Sequence, residues 1–279
     1  MLPYTDTDAF APAAGLRYGA ALDLRPHRVW DDARHEASLL DAAMRLHRAA
    51  IARHCGALPE AMTDASGERV LPLIVSSRVA GDLGSLDGGT LPALTLASAP
   101  TPQTGWRSRI VASAGIGTVR IDLVSRFARR IGASNASLRS ARMQRTFRTA
   151  PPEDLPEDVR GMRARRAALG TAGEAAMPLI SSPIASNDLD HTGILPMRTA
   201  LRAIAAAEDA ALGETALLPV RSREIHWYAN ADAGERLDVG CDLLVSDFAP
   251  SIGVMTAFAL RRHSDDALVA ACEIVRDAV

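Results

Sequence analysis

"ILPMRTALRAIAAAEDAAL", residues 194–212, decides how the rest of the chain must be arranged. Ile194, Leu195, Met197, Ala200, Leu201, Ile204, Ala205, Ala206, Ala207, Ala210, Ala211 and Leu212 follow helical spacing and leave little polar surface. A helix apolar on most sides is expected to be covered on most sides. Its alanines would let that cover come close. The sequence around it supplies strands to make the cover. "MPLISSP" (177–183) precedes it, and four strand-like stretches follow: "ALLPVRSREIHWYAN" (216–230), "RLDVGCDLLVSDF" (236–248), "IGVMTAFALRRH" (252–263) and "ALVAACEIVRD" (267–277). In the second, Leu237, Val239, Cys241, Leu243 and Val245 alternate strictly, which puts them on one face.

The same order occurs earlier in the chain. "ARHEASLLDAAMRLHRAAIARH" (33–54) carries Leu39, Leu40, Ala43, Met44, Leu46, Ala50 and Ile51 at helical spacing, with Gly56 and Pro59 as a stop. Strand-like stretches follow at 68–80, 91–100, 106–128 and 136–143, the third long enough for one bent strand or two. Between the halves, residues 146–176 are proline-rich, acid-rich and then arginine-rich, and read as a linker. The expected division is 1–145, linker 146–176, and 177–279. One helix with several antiparallel strands per half is an α+β layout. A sheet curled round each helix, with the two sheets paired edge to edge, is a double hot-dog.

Composition narrows the chemistry. The net charge of −2 gives no bulk attraction to nucleic acid or an anionic membrane. No apolar run approaches the ~18 residues of a membrane helix, and the N-terminus lacks the pattern of a signal peptide, so a cytoplasmic protein is expected. All 31 basic residues are arginine. Schiff-base chemistry on lysine and a P-loop lysine are therefore excluded. Cys55, Cys241 and Cys272 form no CxxC pair and are expected to be small buried residues. The histidines show no metal-binding pair on a helix, and His47 and His54 are expected on a helix surface; no metal is predicted.

The polar cluster before the second helix, Asn187-Asp188-Leu189-Asp190-His191-Thr192-Gly193, is the candidate site. The first N–H groups of a helix lack intrahelical partners and carry partial positive charge. A thioester carbonyl placed against them would be polarised. Asp190 would attack that carbonyl or act as a base, with His191 and Asp188 beside it. Gly193 would let substrate approach the backbone. Asn187, Asp188 or Asp190 could equally serve as N-caps, and His191 could satisfy a turn. His226 and Tyr228 share a strand face with Glu224. Asn230 and Asp232 read as turn formers.

The segment Asp188–Gly193 resembles the D-x-D-x-x-G motif of hot-dog acyl thioesterases of the 4-hydroxybenzoyl-CoA type, whose second aspartate, matching Asp190, is nucleophile or base. A wider similarity runs through "DASGERVLPLIV" (64–75), "SRFARRIGASNASLRSARM" (125–143), the helix motif and "SREIHWYANADAGERLDV" (222–239). In that order they resemble the double hot-dog family of the leinamycin bifunctional acyltransferase/decarboxylase. The resemblance implies acyl transfer, hydrolysis or decarboxylation of acyl thioesters on coenzyme A or acyl carrier protein, beside a polyketide synthase. It implies no resident cofactor, and it adds Ser125 and Asn135 to the substrate-binding candidates Thr192, Gly193, Asn187, His226 and Tyr228. Where that family carries a tyrosine, this chain has Leu71 followed by Pro72. Where that family tends to have asparagine it has Asp190, which favours hydrolysis, dehydration or another proton-transfer step over decarboxylative transfer. An acyl-thioester dehydratase and a non-catalytic acyl- or carrier-binding module are the alternatives. A homodimer remains open.

Overall fold

The computed structural model describes residues 16–19, 32–55, 62–64, 66–82, 86, 93–100, 105–114, 117–141, 178–249 and 252–277. Helix α1 (Asp32–Cys55) forms over the first periodic stretch. It buries Glu36, Leu39, Leu40, Ala43, Leu46, His47, Ala50 and Ile51, a stripe at three- and four-residue spacing. Helix α2 (Met197–Leu212) buries Met197, Ala200, Leu201, Ile204, Ala207 and Glu208 in the same way. The strands are β1 (Leu16–Gly19), β2 (Leu71–Ala80), β3 (Ala93–Pro100), β4 (Gly105–Ala114), β5 (Gly117–Arg130) and β6 (Leu138–Ser140) in the first half. The second half has β7 (Ile180–Pro183), β8 (Val220–Trp227), β9 (Arg236–Ala249), β10 (Ile252–Arg262) and β11 (Leu268–Arg276).

All eleven strands join one antiparallel sheet in the order β1-β3-β4-β5-β2-β8-β11-β10-β9-β7, with β6 on β5. The order is a repeat. Five strands, 1-3-4-5-2, are matched from the centre outwards by 8-11-10-9-7, so β1, α1 and β2–β5 correspond to β7, α2 and β8–β11. The halves meet where β2 pairs with β8, from Ser76 opposite His226 to Ala80 opposite Ser222. Alternation along each strand sends Ile110, Ala112, Ile121, Leu123, Ile225, Trp227, Phe258, Leu260 and Ile274 into one core that also contains both helix stripes. This is the double hot-dog layout expected from the sequence.

Several expectations need correction. The long stretch 106–128 falls in two strands, β4 and β5, one of the two alternatives expected. The 136–143 stretch is a 3-10 turn, Asn135–Ser137, followed by the three-residue β6. The short strand β1, pairing with β3, was not foreseen. Helix α2 starts at Met197 rather than Ile194, because Pro196 takes an extended conformation as its N-cap. It is also not wrapped on all sides: Arg202, Ala206, Asp209 and Ala210 are exposed. Alanine is small enough to sit in water at little cost, so its pattern overstated the cover. Cys272 is buried, whereas Cys55 and Cys241 are half-buried. The expected linker, 146–176, lies outside the described residues.

His47 was misplaced by the sequence reading. It is fully buried, with Nδ1 2.7 Å from Ser108 Oγ and Nε2 3.0 Å from Ser125 Oγ. Burial, followed by the neighbouring charge of Arg48, lowers its pKa to about 3, so the ring is neutral. A second buried polar cluster ties the helices to the second sheet. Arg223 donates to Glu208 at 2.9 Å and to Glu36, and Arg276 donates to Glu208 at 2.7 Å. Glu36 belongs to α1 and Glu208 to α2, so the cluster spans both halves. Among the described residues, no helix is long and apolar enough to cross a membrane.

Candidate active site

The loop before α2 is built by Asp190. Its Oδ1 accepts from the Thr192 amide at 2.8 Å, the Thr192 hydroxyl at 2.6 Å and the Ile194 amide at 3.1 Å. Its own amide donates to the Ile194 carbonyl, and its carbonyl accepts from the Gly193 amide. Gly193 has φ +75°, the left-handed conformation that favours glycine. The result is a closed five-residue turn with an Asx core.

The same device occurs at Asp64. Its Oδ1 accepts from the Ser66 amide and hydroxyl and from the Glu68 amide, while Gly67 has φ +82° and donates to the Asp64 carbonyl. Both segments read D-x-S/T-G-x. One carboxylate oxygen of Asp190 is therefore fully employed in making a turn. What separates the two aspartates is their surroundings, since Asp190 lines a large cavity whose lining does not include Asp64.

That cavity measures about 830 Å³, in the range of small-molecule sites. Helix α1 contributes Met44, Arg45 and Arg48, and the start of β2 contributes Leu71 to Val75. The far wall is Leu189 to Thr192 and Ile194 to Arg198, with Trp227 to Asn230 beyond the end of β8. Both halves thus form it. The Asp190 Oδ2 lies 3.6 Å from an Nη of Arg48, which reaches across from α1. Arg48 escaped the sequence reading. Its signal is its position one residue after His47: a helix turns about 100° per residue, so burying His47 against the first sheet rotates Arg48 toward the flank.

Loops of the first half hold the Asp190 turn in place. Asn135, buried behind β5, donates to the carbonyls of Gly193 at 2.8 Å and Ala231 at 2.9 Å. Arg130 bridges the Asn135 Oδ1 and the Thr192 carbonyl. Asp232 accepts from the Ser134 hydroxyl and the Asn135 amide, and Asn230 accepts from the Leu195 amide at 3.1 Å. Asn230 and Asp232 therefore do more than shape their own turn.

Of the predicted site residues, the cavity gathers Asp190, His191, Thr192, Asn135 and Tyr228. His191 and Tyr228 are exposed there. The others are elsewhere. Asp188 accepts from the Ala185 amide at 2.9 Å and pairs with Arg202 at 2.7 Å. Those two contacts, in that order, lower its pKa; its work is to close a 3-10 turn. Asn187 is exposed in that turn, away from the cavity. The Thr192 hydroxyl is spent on Asp190. Gly193 is not among the cavity's lining residues and faces Arg130, whose Nη2 lies 3.5 Å from where a Cβ would be. Ser125 is a buried partner of His47. His226 alternates with the core-facing Ile225 and Trp227, so it points to the other side of the sheet, where its Nε2 lies 2.8 Å from Glu224. Among the described residues, no group of three or more His, Cys, Asp or Glu side chains gathers as a metal site would.

No model of a known protein family matches the chain. No curated protein matches it either. Solved structures do. An acyl-ACP thioesterase from Bacteroides thetaiotaomicron VPI-5482 superposes with a TM-score of 0.54 at 10% identity, over 94% of this chain and 96% of that one. A putative oleoyl thioesterase from Lactobacillus plantarum gives 0.58 at 10% identity, over 87% and 88%. The 12:0-ACP thioesterase from Umbellularia californica gives 0.54 at 10% identity, over 97% and 100%. The chain has the fold of these proteins along nearly its whole length. At 10% identity the likeness is one of fold.

Proposed function

We propose that this chain processes acyl thioesters by hydrolysis or acyl transfer, with Asp190 as the reacting carboxylate. The single observation that carries the reading is the site's composition: a cavity of about 830 Å³, walled by Met44, Leu71, Leu73, Ile74 and Trp227, that opens onto a carboxylate. Apolar walls suit an acyl chain, and one oriented acid suits attack on, or water activation at, its carbonyl. Because Oδ1 is held by three donors, Oδ2 is the oxygen left for chemistry. The substrate is carried on coenzyme A or on the phosphopantetheine of an acyl carrier protein. The sequence resemblance to the leinamycin-type family supports a polyketide setting and a synthase as neighbour.

Leu71 lines the cavity at the position where that family carries its tyrosine. This favours direct hydrolysis or Asp190-centred transfer over transfer through a tyrosyl ester or decarboxylation. Dehydration would pair an aspartate with a histidine from the opposite half. Of the first-half histidines whose side chains are described, His47 is sealed between two serines, the His54 ring sits 5.0 Å from Trp106, and neither lines the cavity.

Asp190→Asn tests the reading cleanly. Asparagine keeps the Asx turn, so the fold survives while the carboxylate is lost. With acyl-CoA and carrier-bound acyl panels followed by mass spectrometry, the wild type releases or transfers the acyl group and the variant does not. Asp64→Asn, the same change in the same turn away from the cavity, keeps activity. Equal turnover by Asp190→Asn would remove Asp190 from the chemistry. Acyl binding by the wild type with no turnover would leave a binding module.

A further inference from the structure

The amide groups of the loop that leads into α2, from Thr192 to Leu195, are already spent. The N–H groups of Thr192 and Ile194 go to Asp190 Oδ1, that of Gly193 to the Asp190 carbonyl, and that of Leu195 to Asn230. Pro196 has none. Four consecutive donors that could receive an oxyanion beside Asp190 are thus occupied within the protein, and helix α2 itself begins only at Met197. A carboxylate that attacks or activates water needs a donor near the same carbonyl, within about 3 Å of its oxygen. A cation within reach of Asp190 is Arg48. It lines the cavity, comes from the other half of the chain, and sits 3.6 Å from Oδ2. At that distance it is a charge neighbour of Asp190, not a hydrogen-bonded clamp. Its side chain keeps 36% exposure, so it meets the space that a ligand would fill.

Resting on the function proposed above, we infer that Arg48 is a catalytic oxyanion donor, in place of the occupied amides of the 192–195 loop. In hydrolysis, Asp190 Oδ2 takes a proton from water as the water oxygen bonds to the thioester carbon. The carbonyl π pair moves to oxygen, and the Arg48 guanidinium receives that charge. Collapse restores the C=O bond, expels the thiolate, and returns the Asp190 proton to sulfur. The products are a carboxylic acid and the free thiol.

The test measures steady-state hydrolysis of an acyl-CoA series from acetyl to dodecanoyl, by thiol release, in wild type, Arg48→Gln, Arg48→Lys and Asp190→Asn. Arg48→Gln is expected to lose about 100- to 1,000-fold in kcat, with KM changed only a few-fold. Arg48→Lys recovers part of the loss. A packing role for Arg48 would instead lower thermal stability and leave kcat of the folded variant, and its ratio to KM, unchanged. Should Arg48→Gln fail to fold, Arg48→Lys alone decides: an unchanged kcat overturns the assignment. An inert wild type overturns the acyl-thioester reading, and this inference with it. An active wild type, a dead Asp190→Asn and an active Arg48→Gln overturn the role of Arg48 alone.

Discussion

Lowering the pH from 7 to 4 should cost this protein about 3 kcal/mol of stability through His47 alone. The neutral ring sits between two serine hydroxyls, where its N–H donates and its bare nitrogen accepts. Protonation puts an unscreened charge in a site without a carboxylate partner, and the pKa falls from 6.5 to about 3. The unfolded chain therefore binds the proton first. The stabilisation is fully present above pH 6.5 and declines as the pH falls toward 3. From 6.5 to 4 is about 2.5 units at ~1.4 kcal/mol each, hence about 3 kcal/mol. That is a large share of a typical ~5–15 kcal/mol domain stability. Urea unfolding at pH 7 and pH 4 measures it, with His47→Gln as the reference. The variant is weaker at pH 7, since its amide replaces the ring imperfectly. It should nonetheless lose about 3 kcal/mol less on acidification than the wild type. Parallel losses in the two proteins would refute the claim that His47 is held neutral by burial.

Two further outcomes follow from the buried and capping charges. Glu208→Ala leaves Arg276 and one arm of Arg223 without their carboxylate, and the cost expected is about 3–5 kcal/mol. In scanning calorimetry this is a fall in Tm of roughly 6–20 °C; a change below about 3 °C would mean that water already reaches the cluster. Asp188→Ala removes the bond to the Ala185 amide and the pair with Arg202, costing about 1 kcal/mol by thermal melt while acyl-thioester turnover is retained. Lost turnover in a folded Asp188→Ala protein would return that residue to the mechanism.

Periodicity carried the fold. The apolar spacing of residues 33–54 and the strict alternation of 237–245 were readable because a helix stripe and a strand face repeat over many residues. Topology was readable as well, since the order of elements occurs twice. The site was legible in part. Asp190 and His191 reach the cavity, but Asp188 and Gly193 do not, because a short polar run cannot say which members build the turn and which face the ligand. The D-x-S/T-G-x pattern at 64–68 was the available clue that Asp190 makes a turn. His47 and Ser125 were unreadable as a pair: they are 78 residues apart, and only the pairing of α1 with β5 brings them together. Arg48 was hidden for the same reason.

His47 and Arg48 are best understood together. A buried ring with two hydroxyl partners has one orientation that satisfies both nitrogens, so it fixes the rotation of α1 about its axis. The next side chain is then directed to the boundary between the halves, where Asp190 lies. Glu36, three turns earlier on the same helix, is fixed by Arg223 from the second sheet. Two buried polar contacts, one to each half of the sheet, thus pin a single helix at points about three turns apart, and Arg48 directly follows the second of them. Such contacts contribute little net stability once desolvation is counted, but they penalise every other rotation. The arrangement accounts for buried polar groups in a core that alanine and leucine could have filled.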